Sequence, residues 1–533
     1  MKKRISISFI LITCLISLLL TACAKPAPAP APSPAPAPAP SPAPTPGKVV
    51  KPGGTLTINY SRIAGNFGVP LNIKQWDYWY AAHALEGLIE LNRKQPGVYS
   101  PKLATKWELA PDRSSYTFYL RKDVKFHDGT DFNAQAVKWN LDKVIASKRP
   151  ELAKVRSIDI IDDYTIRANL SAWDNLVLYS FEGDVGLIIS PAAFEKNGEV
   201  WCNTHPVGTG PFKIKDYLRN QYVKYEKNRD YWGQVPYLDE LVVLHIQDPM
   251  TSQAAFLRGE VDILYDPAPS VAAELEAKGT FIVDASSTGP ASVIFFNSQD
   301  PSSIWSKKKM REALEYAVDK EKIIKSLWLG YAAPVYEIVK GLHDAGGDPG
   351  TTPRKFDPQK AKQLIAEAGY TGVKLKLTVT VTPMMDIWVA VQSQLAEAGI
   401  QVELNPVAFT TFAQLSLEAP VGNELRNEGQ RGDSSMVLAG LQFFDQTSIY
   451  GRGVARTAGF QAILDKAVQE EDPAKVMKYM EQLDKLSYED AMFVPLWAVK
   501  LIQIQQPYTK DIILYITPGA KPVPRLQYAW LDK

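Results

Sequence analysis

Two consecutive stretches of this chain carry the same three-part pattern, and that repetition restricts the fold more than any other feature. In "FDPQKAKQLIAEAGY", residues 356–370, Asp357 stands as a cap and Pro358 in the first helical turn, where its missing N–H costs nothing. Ala361, Leu364, Ile365 and Ala368 recur at helical spacing as one apolar stripe, and Gly369 ends the helix. The strand "VKLKLTVTV" follows. A second helix then runs to "LAEAG" and leads into the strand "IQVEL". Helix, glycine, strand, twice in succession, predicts an α/β lobe with helices laid on a sheet.

Other segments fit the same class. "TLTINYS", after Gly53-Gly54, alternates as a strand does. "SSYTFYLRKDVKF" (114–126) reads as a strand leading to a turn at "HDGT", and "SIDIIDDYTIRANL" as two strands around an Asp-Asp turn. Asn133 is placed to cap a helix whose stripe is Val137, Leu141, Val144 and Ile145. Residues 307–329 predict one long amphipathic helix, with Met310, Leu314, Ala317, Val318 and Ile323 or Ile324 inward and Gly330 as its stop.

A chain of 533 residues is too long for one core, so two or three domains are expected. Its formal charge of +1 makes no electrostatic case for nucleic acid. The three cysteines are Cys14, Cys23 and Cys202, and only Cys202 falls in the body, so no intramolecular disulfide is expected there. His83, His127, His205, His245 and His343 show no metal-ligand spacing. Cys202 and His205 form one C-x-x-H pair beside a turn, read as structural, and no metal or cofactor is expected. Lipase-type, zincin and P-loop motifs are absent from the sequence, so the chain is not read as an enzyme.

The front end is organised differently. Lys2, Lys3 and Arg4 precede an apolar run from Ile5 to Leu20, shorter than the about 20 residues of a spanning helix and shaped like a secretory signal. The run ends at Leu20-Thr21-Ala22-Cys23, which resembles the bacterial lipobox; that resemblance implies cleavage before Cys23 and lipid on its sulfur. Proline then fills every second position from Pro26 to Pro46. Such a repeat favours polyproline II at about 3.1 Å per residue, a spacer of roughly 65 Å when extended. The body starts near Val49.

Eight blocks, in order, are similar to those of a known family. They are "LEGLIELN" (85–92), "PKLATKWELAPDRSSYTFYLRKDVKFHDGTDFNAQAVKWNLDKV" (101–144), "HPVGTGPFKIKDY" (205–217) and "VKYEKNRDYWGQVPYLDELVV" (223–243). "AAFLRGEVDIL" (254–264), "MREALEYAVDKEKII" (310–324), "FDPQKAKQLIAEAGY" (356–370) and "QSQLAEAGIQVELNPV" (392–407) complete the set. Over nearly all of its folded length the chain resembles extracellular solute-binding proteins of family 5, the substrate-binding lipoproteins of peptide and nickel ABC importers. Most of these residues read as fold-specifying: His127 as part of a turn, "PVGTGPF" as a bend before a strand.

The resemblance implies a two-lobed α/β fold of the periplasmic-binding-protein kind (type II, cluster C), with an extra inserted domain and a hinge. It implies a signal peptide over 1–22 and a lipidated cysteine with Pro/Ala linker over 23–48. Lobe I would take 49–62, 186–285 and 495–533, the inserted domain 63–185, and lobe II 286–494. A solute would bind between lobes that close over it and dock on permease subunits. The protein would be a monomer outside the cytoplasm, lipid-anchored to the cell membrane. A solute sensor or chaperone-like binding protein of the same fold remains the alternative, with a secreted hydrolase behind it.

Two segments are expected to line the pocket. In "QWDYWYAAH" (75–83), Trp76, Trp79 and Tyr80 would share a helix face while Tyr78 points elsewhere. In "LAGLQFFDQTSIYG" (438–451) the candidates are Phe443, Phe444, Asp445 and Gln446. Peptide-binding relatives usually carry a Trp and an Asp-Tyr-x-Asp-Pro run there, whose Asp pairs with the ligand's amino terminus; this chain has Leu441 in place of the Trp. The ligand is accordingly left as an oligopeptide, a modified peptide, a sugar or an aromatic compound.

Overall fold

The strand expected at the start of the body is Thr55–Tyr60 (β1), and it joins a single mixed sheet of eleven strands among the described residues. The structure is a computed structural model; it describes residues 50–74, 77–92, 98–149, 152–339, 352–382, 384–430, 436–446, 448, 451–515 and 523–533. The other strands are Phe212–Leu218 (β2), Tyr222–Lys227 (β3), Glu240–Leu244 (β4), Ile263–Tyr265 (β5) and Ile282–Phe295 (β6). Ala332–Pro334 (β7), Val373–Thr380 (β8), Ile400–Val407 (β9), Leu425–Gln430 (β10) and Val494–Gln505 (β11) complete it. The order is β9-β8-β10-β6-β11-β5-β1-β4-β3-β2, with β7 beside β11.

The sheet has two halves. In one, β1 runs parallel to β4 and β5; in the other, β8 runs parallel to β9 and β10. The helix–glycine–strand repeat forms this second half, with helix Pro358–Glu367 before β8 and helix Asp386–Glu397 before β9. β8 and β9 pair residue for residue from Val373↔Ile400 to Thr380↔Val407, and Gly369 and Gly399 sit at φ +84° and +88°, the left-handed geometry that ends each helix. The long antiparallel pair β6 and β11 joins the halves. β11 reaches β5 through Gln503–Gln505, while β6 reaches β10 through Ala291–Phe295. Their mutual register shifts at three places, between Asp284 and Ser287, Thr288 and Ala291, and Ser292 and Val293, which bends the ribbon.

A separate antiparallel sheet comprises Ala104–Leu109, Ser115–Leu120, Thr165–Leu170 and Val155–Asp162 in that spatial order. Helix Ala134–Ala146 lies on it, and the Asn133 side chain accepts the Ala136 N–H at 3.0 Å as its cap. Val137, Leu141 and Val144 bury against Phe118, Ile158 and Ile166, as the periodicity requires.

The single helix expected over 307–329 is two, Lys308–Tyr316 and Lys320–Ser326. Asp319 breaks it. Its carboxylate accepts the Lys322 N–H at 2.9 Å and so caps a new helix, while its own N–H turns to the Gln394 side chain at 2.8 Å. The apolar stripe survives because both pieces face the same core.

Four of the family-like blocks meet at one buried carboxylate. Glu86 accepts hydrogen bonds from Tyr231 Oη at 2.8 Å, Trp232 Nε1 at 2.8 Å and Thr209 Oγ1 at 2.9 Å, and pairs with Lys102 at 3.1 Å. Arg121 stacks on the Trp232 ring, 4.3 Å from its centroid. The glycines of "PVGTGPF" pack directly on the helix exit: a Cβ on Gly208 would stand 2.3 Å from the Ala84 oxygen, and one on Gly210 2.7 Å from the Ala84 carbonyl carbon. His127 is clamped beside them, Nε2 lying 2.9 Å from the Gly210 oxygen, and burial holds its pKa down at about 4. These blocks therefore build the fold, and their chemistry is spent on each other.

Candidate functional site

A cavity of about 840 Å³ opens where the strand ends of the two halves face each other. Ser61 and Arg62 enter it from the end of β1, Asp266 from the end of β5, and Thr380 and Thr382 from the end of β8. Carboxyl ends of parallel strands are where open α/β sheets place ligands, because the connecting loops diverge there and leave a crevice. The floor is the joining ribbon: Pro290, Ala291 and Ser292 of β6, Trp497 and Val499 of β11.

Three indoles line the cavity. Trp497 stands on β11, Trp388 on helix Asp386–Glu397, and Trp328 follows helix Lys320–Ser326. The Trp388 and Trp497 rings lie 6.1 Å apart between centroids at 37°. Ile387 and Leu327 extend the apolar wall. Among the described residues the charged ones of the lining are Arg62 and Asp266, whose Nη2 and Oδ2 lie 3.3 Å apart. Asn427 on β10 donates to Ser292 Oγ at 2.8 Å and to the Val293 carbonyl at 3.2 Å, so the amide is held rigidly where β6 and β10 meet. Such a site offers ring faces, a few hydroxyls, one amide and a balanced ion pair. It can hold an organic solute.

The described residues among those singled out from the sequence lie elsewhere. Gln75 and Trp76 fall outside the described residues. The helix in that stretch is short, Tyr78–Ala81, and Trp79 and Tyr80 are fully buried in the core of the first half, where Trp79 stacks on Tyr265 at 5.5 Å. Burial pushes the Tyr80 phenol well above its ordinary pKa, and Tyr80 Oη donates to the Arg62 carbonyl. Tyr78 borders a separate pocket of about 50 Å³ beside Glu86 and Lys102. Phe443 and Phe444, at the end of helix Met436–Phe444, pack on Phe493 in a second core of the other half. Asp445 follows that helix, within electrostatic reach of Arg456, whose guanidinium donates to the carbonyls of Phe444, Val454 and Gly451. Gln446 is exposed. Of the described candidates, Tyr78, Trp79, Tyr80, Phe443, Phe444, Asp445 and Gln446, none lines the 840 Å³ cavity.

Sequence reasoning missed the three indoles. Their signal was present: Trp388 comes a few residues after β8, at the strand-end position that α/β sheets use for ligands. Cys202 is buried with its thiol toward the Ala193 carbonyl, and burial raises its pKa. His205 stacks instead on Trp201, centroids 4.4 Å apart. Among the described residues no group of three or more His, Cys, Asp or Glu could hold a metal, and no helix is long and apolar enough to cross a membrane.

Comparison with known proteins bears on this geometry. The sequence profile of bacterial extracellular solute-binding proteins, family 5 (middle part), matches residues 98–450. The chain is 28% identical over 454 residues to heme-binding protein A of Haemophilus influenzae, covering 76% of this chain and 80% of that protein. It is 28% identical over 427 residues to the glutathione-binding protein GsiB of Shigella boydii, covering 75% and 80%. In structure it is similar to the ABC transporter-associated periplasmic binding protein DppA of Helicobacter pylori in complex with the peptide STSA, with a TM-score of 0.74 at 24% identity, covering 91% of this chain and 99% of that one.

Proposed function

Because the chain belongs to the bacterial extracellular solute-binding proteins of family 5, we propose that it captures a small organic solute in the 840 Å³ cavity and delivers it to the permease of an ABC importer. The observation that carries this reading is the position of the cavity. It lies across the two sheet halves, against the only ribbon that joins them among the described residues. A ribbon of two strands with three register shifts is a compliant connection, so the halves can close on a bound solute and open to release it.

We take the lobe limits from the sequence, 49–62, 186–285 and 495–533 against 286–494. The division at 285/286 falls inside β6 and that at 494/495 at the start of β11. Residues 1–22 are a signal peptide, Cys23 carries lipid, and the Pro/Ala segment to residue 48 is the tether. These residues lie outside the described ones, and their reading rests on the sequence alone. A long leash keeps a receptor concentrated near its permease while leaving it free to close. Cys23→Ser should release the protein from membranes, since only a thiol takes the lipid.

Native mass spectrometry of the protein purified from its host tests the binding claim. A released small molecule that is lost from Trp388→Ala is expected; a mass equal to the bare chain in both would contradict it.

A further inference from the structure

Resting on that reading of the cavity, we infer that its ligand is a ring-bearing solute without net charge. The walls of the cavity carry one cation and one anion among the described residues, Arg62 and Asp266, and these face each other at 3.3 Å. Each is the other's counter-ion. A ligand ammonium would have to take Asp266 from Arg62, and a ligand carboxylate would have to take Arg62 from Asp266. The pair is part-exposed, with 41% of the Arg62 and 25% of the Asp266 side chain in solvent. Once a closing cleft sheds that water, a ligand carrying only one of these charges leaves one protein charge unpaired at a cost, whereas a zwitterion answers both.

Among the described residues no second acid or base of the lining relieves this. Asp445, the acid that sequence comparison suggests for an ammonium, is not in the cavity wall and stands by Arg456. The remaining polar lining is neutral: serine and threonine hydroxyls, and the Asn427 amide tied to Ser292. What the wall supplies besides is apolar: the half-buried Trp328, the small exposed parts of the buried Trp388 and Trp497, and Leu327, Met384 and Ile387. Indole faces reward a flat ring, and hydroxyls with a fixed amide reward carbonyl or hydroxyl edges. The ion pair then acts as a filter against net charge on the solute.

Four forms of one dipeptide separate charge from shape. N-acetyl-Phe-Leu-amide is neutral; Phe-Leu-amide is a cation, N-acetyl-Phe-Leu an anion, and Phe-Leu a zwitterion. Each is titrated calorimetrically into the whole protein after removal of retained ligand. The neutral form and the zwitterion are each expected to bind at least tenfold tighter than the cation and the anion, and the neutral form to lose about tenfold in Trp388→Ala. In Asp266→Asn, where Arg62 no longer faces that carboxylate, the anion should gain at least tenfold on the neutral form. A cation or an anion that binds as tightly as the neutral form or the zwitterion overturns the inference, as does an unchanged anion preference in Asp266→Asn. Failure of all four to bind overturns it too. The solute-binding reading itself then stands or falls separately, on whether the protein carries a small molecule out of its host and Trp388→Ala does not.

Discussion

Glu86 is the sharpest place to test why the fold holds, because four donors converge on it. In Glu86→Ala the Lys102 ammonium loses its partner, and the side chains of Tyr231, Trp232 and Thr209 lose their acceptor. Breaking one side of a buried ion pair costs about 3–5 kcal/mol. Lys102 keeps 20% of its side chain in solvent, so it can partly rehydrate, and the low end applies. Each stranded donor adds about 1–3 kcal/mol, but the three share one acceptor and do not add in full. The expected loss is about 5 kcal/mol. Glu86→Gln keeps one acceptor oxygen and the volume, so about 3 kcal/mol is expected. Urea unfolding followed by tryptophan fluorescence measures both, with Lys102→Met and the double variant Glu86→Gln/Lys102→Met closing a cycle. The double variant should recover at least about 1 kcal/mol of the summed single losses, since it no longer strands the ammonium. A Glu86→Ala protein within about 1 kcal/mol of wild type would refute the idea that this carboxylate is the knot tying these blocks together.

Gly210→Ala should fail to fold at 37 °C, because the new Cβ would sit 2.7 Å from backbone that has nowhere to move; wild-type circular dichroism and yield would contradict the packing. Stability should fall as pH drops from about 6.5 toward 4. Burial holds His127 neutral down to about 4 and His83 to about 3, whereas the unfolded chain takes up those protons near 6.5, so each group removes about 2 kcal/mol between pH 6.5 and 5. A melting temperature that is flat or rises over that window would oppose this, and His127→Gln should flatten the slope. Asn175 donates to the carbonyls of Ala467 and Glu470 at the end of helix Phe460–Gln469, and its N–H bonds the Val468 carbonyl at 3.0 Å. These bonds cross from the segment before β2 to the half that holds β8, so Asn175→Ala should weaken the closed arrangement and lower solute affinity several-fold with little change in melting. Equal affinity would mean the contact plays no part in closure.

The local elements were legible because short-range chemistry sets them. Asp357, Pro358 and Gly369 bracket a helix in the structure as they do on paper, and Asn133 caps where its side chain requires. Asp319 was read as one more helical residue when its carboxylate was a cap, a competition between side chain and backbone that a long apolar stripe conceals. The candidate site was harder. Trp79 and Tyr80 looked like pocket residues because aromatic clusters serve cores and ligands alike, and only the packing of Tyr60, Tyr265 and Phe67 around them assigns them to a core. Trp328, Trp388 and Trp497 are far apart in sequence and meet through the crossing of β6 and β11, a long-range pairing that no local pattern encodes. The partnership of Arg62 with Asp266 spans about 200 residues for the same reason.

The claim that matters most is that a solute sits against the indoles of the cavity, between the two halves of the sheet. A crystal structure of the protein purified from its host, with no ligand added, tests it directly. Expected is electron density for a non-protein molecule in contact with Trp388 and Trp497, enclosed by the ends of β1, β5 and β8. Density for a retained molecule somewhere else, with this cavity filled by solvent alone, would contradict the account.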